Sequence, residues 1–138
     1  MSDPLSAALH ISSSGLRAQS ERLRVVSENL ANARSTGKTA GSDPYSRKTV
    51  TFESVFDRVQ QASLVKVKGV GTDKSPFTVE YEPGHPAADE NGYVKMPNVN
   101  VLMELADMRE TNRSYEANLK VMTQAREMVM RDIALLRD

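Results

Sequence analysis

Few residue combinations in this 138-residue chain could carry out chemistry. Its two histidines, His10 and His85, fall in a helical stretch and in a Pro/Gly-rich turn, and neither has a second candidate ligand at metal-binding spacing. Asp89 and Glu90 are adjacent carboxylates, but acid and base work requires neighbours that push two pKa values apart. A polar loop solvates both instead. Gly69 and Gly71 form a lone GxG without the third glycine and strand-to-helix setting of a nucleotide site, so they read as a turn. Asn112, Arg113 and Ser114 spell a glycosylation tripeptide inside a helical stretch, a poor setting for an acceptor. Glu110, Arg113 and Glu116 are spaced for surface ion pairs. Cysteine is absent, which removes disulfides, thiolate metal sites and a thiol nucleophile. The expectation is a protein with no catalytic residue, no metal and no cofactor.

The informative residues are apolar. Leu5, Leu9, Leu16, Leu23, Val26, Leu30 and Ala33 recur on a seven-residue cycle near the start. Val101, Leu105, Met108, Tyr115, Leu119, Met122, Val129, Ile133 and Leu136 do so near the end. As heptad a and d positions, each set is one seam along a long helix. Polar residues interrupt both seams: Ser12 and Gln19 in the first, Asn112 and Arg126 in the second. Asn112 reads equally well as a register pin or as a solvent-facing residue.

Punctuation sets the limits of these helices. Ser2, Asp3 and Pro4 suit a helix start, with a short polar cap and proline in the first turn. That helix is predicted to reach about Ala33, with Gly15 a weak point costing about 1 kcal/mol relative to alanine. Residues 34–46 (RSTGKTAGSDPYS) read as a loop. Strand tendency appears at 48–53, 62–70 and 77–81, with residues 71–76 a turn, and residues 54–61 ambiguous between strand and helix. Residues 82–92, holding Pro83, Gly84, Pro86 and Gly92, should be extended and irregular. Asn100 is a good N-cap for a helix from Val101 to about Arg137, in which no glycine or proline occurs. The fold class expected is α+β and helix-dominated: long antiparallel N- and C-terminal helices in a coiled-coil pair, with a small central β element. The segments are 1–33, 34–99 and 100–138.

Eighteen basic and eighteen acidic residues cancel, so no net field draws nucleic acid or anionic lipid. The early apolar residues are interrupted by Ser12, Ser13 and Ser14, and the first basic side chain is Arg17, which disfavours a cleaved signal peptide and a membrane span. Leu102, Met103, Met128 and Met130 lie off the second seam, more apolar surface than one partner helix covers. Six of the seven methionines fall between Met96 and Met130, where flexible thioethers suit imperfectly repeated surroundings. The surplus points to neighbouring subunits. A soluble coiled-coil adaptor or export chaperone is the alternative, since it too would show two amphipathic helices and neutral charge.

The stretch at 12–33, SSSGLRAQSERLRVVSENLANA, resembles the N-terminal signature of the bacterial flagellar rod and hook axial proteins. DPYSRKTVTFE at 43–53, YEPGHPAADENGYVKMPNVNV at 81–101 and NRSYEANLKVM at 112–122 narrow the resemblance to the proximal rod. The motif positions are Asn29, Asn32, Pro44, Tyr45, Pro83, Gly84, His85, Pro86, Pro97, Asn98, Asn100 and Tyr115. The resemblance implies a structural, non-enzymatic subunit of a helical assembly that crosses the periplasm and transmits torque from motor to hook for motility. It implies type III export without a cleaved signal. The implied partners are other copies of the chain, neighbouring proximal and distal rod proteins, an export-gate/MS-ring adaptor at the base, and the export apparatus. Asn29 and Asn32 would end the first helix, and the terminal helices would line the inner wall with the β region outside.

Overall fold

The computed structural model describes residues 3–137, so the capping expectation on Ser2 lies outside the described residues. Two long helices enclose four strands in sequence: α1 (Pro4–Ala31), β1 (Lys48–Asp57), β2 (Ala62–Thr72), β3 (Thr78–Tyr81), β4 (Tyr93–Met96) and α2 (Val101–Arg137). Both helix starts follow from capping. The Leu5 amide donates to Asp3 Oδ1 at 3.3 Å with Pro4 in the first helical position, and the Leu102 and Met103 amides donate to Asn100 Oδ1 at 3.1 and 3.3 Å. Asn32 Nδ2 donates to the Glu28 carbonyl at 2.9 Å and closes α1.

The strands form two separate two-stranded sheets, β1 with β2 and β3 with β4. The ambiguous residues 54–61 divide: β1 continues to Asp57, and a turn occupies 58–61. Asp57 Oδ1 accepts from the amides of Val59 and Gln60 at 2.8 and 3.2 Å, and Gln61 takes a left-handed φ of 49° to swing the chain into β2. Residues 71–76 are not a hairpin turn linking β2 to β3, because β3 pairs antiparallel with β4 in the register Thr78↔Met96 to Tyr81↔Tyr93. Nor is the 82–92 stretch extended. His85 Nδ1 accepts from the Ala87 amide at 3.0 Å, Asp89 Oδ1 accepts from the Asn91 and Tyr93 amides at 2.9 Å each, and Gly92 turns at φ 86°. A Cβ at Gly92 would lie 2.9 Å from the Tyr81 ring.

The chain divides into two compact units. One comprises residues 1–23, 51–69 and 109–138, the other 24–50 and 70–108. In the second unit Ala87, Ala88, Val94 and Met96 form a small apolar cluster, with Val94 and Met96 alternating against exposed Tyr93 and Lys95 as a half-buried strand requires.

In the first unit the two helices run antiparallel. The Gly15 backbone abuts the Asn118 side chain and Arg22 lies 3.8 Å from Glu110, so positions ascend on α1 as they descend on α2.

Candidate assembly site

Three features of the chain are built for holding rather than for reaction: a seam of small residues, a polar latch and an uncovered apolar face.

On α2 the burial follows a seven-residue cycle through Glu104, Thr111, Asn118 and Ala125. On α1 it runs through Ser12, Gly15, Ala18, Val25, Val26 and Asn29. Most of these side chains are small, which lets backbones approach closely. A Cβ at Gly15 would stand 2.8 Å from the Asn118 carboxamide. The weak point read at Gly15 is thus a position of close approach. Gln19 Oε1 is buried in this unit without a hydrogen-bond partner among the described residues.

The seam expected from large apolar residues therefore needs correction. Val26 is buried and Leu9, Leu16, Leu23, Leu30, Met108, Met122 and Val129 are half-buried. Leu105, Tyr115, Leu119, Ile133 and Leu136 are exposed, from 37% at Tyr115 to 87% at Leu136. The inward cycle on α2 is offset by one residue from the Leu105 and Leu119 positions, because small and polar side chains are what a short interhelical distance admits. Asn112 faces solvent, and its neighbour Thr111 takes the seam. Around the rest of α2, Leu102, Met103, Leu119, Val121, Met128 and Met130 are left exposed.

The latch lies in the second unit. Arg47 precedes β1 and Glu104 sits in the first turn of α2, where its side chain is 1% exposed. Arg47 Nε donates to Glu104 Oε1, and Arg47 Nη1 reaches Asp73 Oδ2 at 3.3 Å. Asn29 Nδ2 donates to Glu104 Oε2 at 3.4 Å and to the Lys48 carbonyl at 2.9 Å. Its Oδ1 accepts from the Tyr45 hydroxyl at 2.7 Å and the Lys48 amide at 2.9 Å. Asn98 Oδ1 accepts from the Arg47 amide at 2.7 Å, while its Nδ2 donates to the carbonyls of Asp73 and Ser75 at 3.1 and 3.0 Å. Lys48 Nζ closes the network on Glu28 at 2.9 Å.

The titration shifts follow from these partners. The hydrogen bond from Lys48 holds Glu28 below the usual carboxylate range, and the reciprocal bond raises Lys48. Asp73 is lowered chiefly by the Ser75 hydroxyl, then by the Ser75 amide and Arg47. Glu104 raises Arg47, and burial raises Tyr45.

The latch unites motif residues Asn29, Tyr45 and Asn98 with Arg47 and Asp73, which sequence reading did not single out, and with Glu104, which it took only as favouring the positive helix end. Asn29 does not end α1; it anchors the following chain, and Asn32 does the capping. Pro44 and Pro97 are buried, Asn100 caps α2, and Pro83, Gly84 and Pro86 stay exposed around half-buried His85.

Comparison with known proteins gives the relatives of the chain. The profile of the flagellar basal body rod FlgEFG protein C-terminal family matches residues 90–135. The flagellar basal-body rod protein FlgC of Agrobacterium fabrum is 64% identical over 135 residues, which span 98% of this chain and 97% of that protein. Its counterparts in Salmonella typhimurium and Escherichia coli are 42% and 41% identical over 125 residues, spanning 91% of this chain and 92% of each relative.

Proposed function

The chain belongs to the family of the flagellar basal-body rod protein FlgC and is a structural subunit of the rod; from that premise we propose that it polymerises through the outward face of its terminal helices. The observation that carries this reading is the run of large apolar side chains along α2 from Leu102 to Leu136, which remain exposed after the intrachain seam is filled with small ones. A soluble monomer rarely leaves so many large apolar side chains of one helix uncovered.

Leu9, Leu16, Leu23, Leu30, Leu105, Met108, Tyr115, Leu119, Met122, Val129, Ile133 and Leu136 then serve contacts between subunits, in addition to whatever part each has within the chain, while Val26 is buried and packs within it. The partners are other copies and neighbouring proteins of the rod, from the adaptor at its base to the distal rod. A heterologous contact repeated around a screw axis yields an open tube. Torque passes along it from motor to hook by many shared contacts, with no catalytic step. Long helices without partners are marginal, which suits a subunit that leaves through the type III export apparatus largely unfolded, without a cleaved signal, and orders on assembly in the periplasm. No helix among the described residues is long and apolar enough to cross a membrane. An adaptor or export chaperone is not favoured, because near-full-length identity is to rod proteins.

The test is complementation. In cells lacking their own FlgC-family subunit, this chain restores swimming and is recovered in isolated basal bodies. A chain that accumulates as a stable soluble dimer, restores no motility and is absent from basal bodies overturns the reading.

A further inference from the structure

The six methionines from Met96 to Met130 fall into three states of exposure. Met96 on β4 is buried at 7%, inside the apolar cluster of the second unit. Met108 and Met122 on α2 are half-buried. Met103, Met128 and Met130, also on α2, stand open at 67, 51 and 64%. The chain therefore presents one chemical group, the thioether, at graded access to solvent.

Cysteine is absent, so no thiolate of the chain competes with these thioethers for an oxidant. Nor do their neighbours shield them. Arg126, Glu127, Arg131 and Asp132, all exposed, lie within one helical turn of Met128 or Met130 and keep that stretch of α2 wet.

The reaction open to such a group is oxygen transfer from a hydroperoxide. With hydrogen peroxide, the sulfur lone pair attacks one peroxide oxygen, an S–O bond forms and the O–O bond breaks. The proton of the transferred hydroxyl passes to the departing oxygen, which leaves as water. The sulfur is oxidised by two electrons and the peroxide is reduced by them. An apolar, flexible side chain becomes a polar, chiral sulfoxide. On a free subunit water solvates the new oxygen and the helix surface accommodates it. In a contact between subunits the same oxygen loses its water with no partner provided for it, which opposes association.

We propose that Met103, Met128 and Met130 are oxidation sites through which a hydroperoxide withdraws an unassembled subunit from polymerisation, whereas assembly shields the same sulfurs. The inference rests on the rod-subunit reading and adds a chemical control to the surface which that reading uses. Reversal requires a reductase for each sulfoxide epimer.

Purified full-length chain treated with dilute hydrogen peroxide, digested and read by mass spectrometry tests the sites directly. Met103, Met128 and Met130 gain oxygen at least about fivefold faster than Met96, with Met108 and Met122 between them. Equal rates at all six overturn the assignment. In cells, a short peroxide pulse during synthesis of the chain is followed by isolation of basal bodies. Copies recovered there carry less than about a fifth of the sulfoxide present at the three positions in the unassembled pool. Equal fractions overturn the withdrawal. A chain carrying Met103→Gln, Met128→Gln and Met130→Gln, each with a polar end of similar size, keeps the circular dichroism of the parent in isolation but supports no swimming. Swimming by that chain overturns the proposal. Selective oxidation in solution, with the untreated chain absent from basal bodies, upholds the three sites and counts against the rod reading.

Discussion

The side chain of Asn29 brackets the peptide of Lys48: its Nδ2 donates to the Lys48 carbonyl and its Oδ1 accepts from the Lys48 amide, each at 2.9 Å. A helix side chain thereby acts as the missing strand neighbour for the first residue of β1. The same carboxamide contacts Glu104 and Tyr45, so one residue joins α1, the loop, the hairpin base and α2.

Asn29→Ala leaves the Lys48 peptide and Glu104 without these partners at a largely buried position. The expected loss is about 2–4 kcal/mol, seen as a lower urea midpoint by circular dichroism. Asn29→Asp loses more, because it brings a second carboxylate beside Glu104. A midpoint unchanged by either substitution contradicts the bracketing role.

Arg47→Met strips the buried Glu104 carboxylate of its guanidinium and costs about 3–5 kcal/mol, whereas adding Glu104→Met to the same chain recovers most of that loss. Equal destabilisation of the single and double variants would show that the pair acts only through packing.

Gly15→Ala gains helix propensity but drives its Cβ into the Asn118 carboxamide. Alone it is neutral or destabilising. Combined with Asn118→Ser it becomes stabilising, with a coupling of about 1 kcal/mol or more in a double-mutant cycle. Additive effects of the two changes would remove the close approach from the argument.

These contacts mark the limit of what was legible in the sequence. Helix extents were readable because Asp3 with Pro4, Asn100, and an α2 free of glycine and proline are local signals. The seam was not, since a periodicity search weights large apolar side chains, while the helices meet through Gly15, Ala18, Thr111 and Ala125. The cycle at 104, 111, 118 and 125 was present all along, in residue types that carry no hydrophobic signal. The latch was equally hidden: Arg47 and Glu104 are 57 residues apart, and an ion pair leaves no period.

Acid should loosen the second unit from below about pH 4.5. Glu28 and Asp73 have folded pKa values lowered from 4.5 and 3.8, so their stabilisation is complete above those unfolded values and is lost as pH falls through the folded ones. Lys48 and Tyr45 are raised from 10.5 and 10.0, so their contributions are present below those values and fade as pH rises beyond them. Urea midpoints across pH should give a plateau between these limits. A Glu28→Gln, Asp73→Asn chain should decline less steeply in acid, and an unaltered slope would assign the transition to other carboxylates.

Leu119→Asp places a charge on the outward face of α2, where Leu119 is 45% exposed. The isolated chain keeps the circular dichroism of the parent, but cells carrying it do not swim, because association buries the charge. Full motility would remove Leu119 from the interface.

The 37 residues of α2 contain neither of the two residue types that most often let a helix bend. Under a twisting load such a rod-like element has no soft joint, and strain is shared along its ladder of backbone hydrogen bonds. In an assembly through the proposed helix contacts, failure at overload is then expected to begin as slip between neighbouring copies, which can re-seat, before any fracture within a subunit that an assembled shaft could not repair.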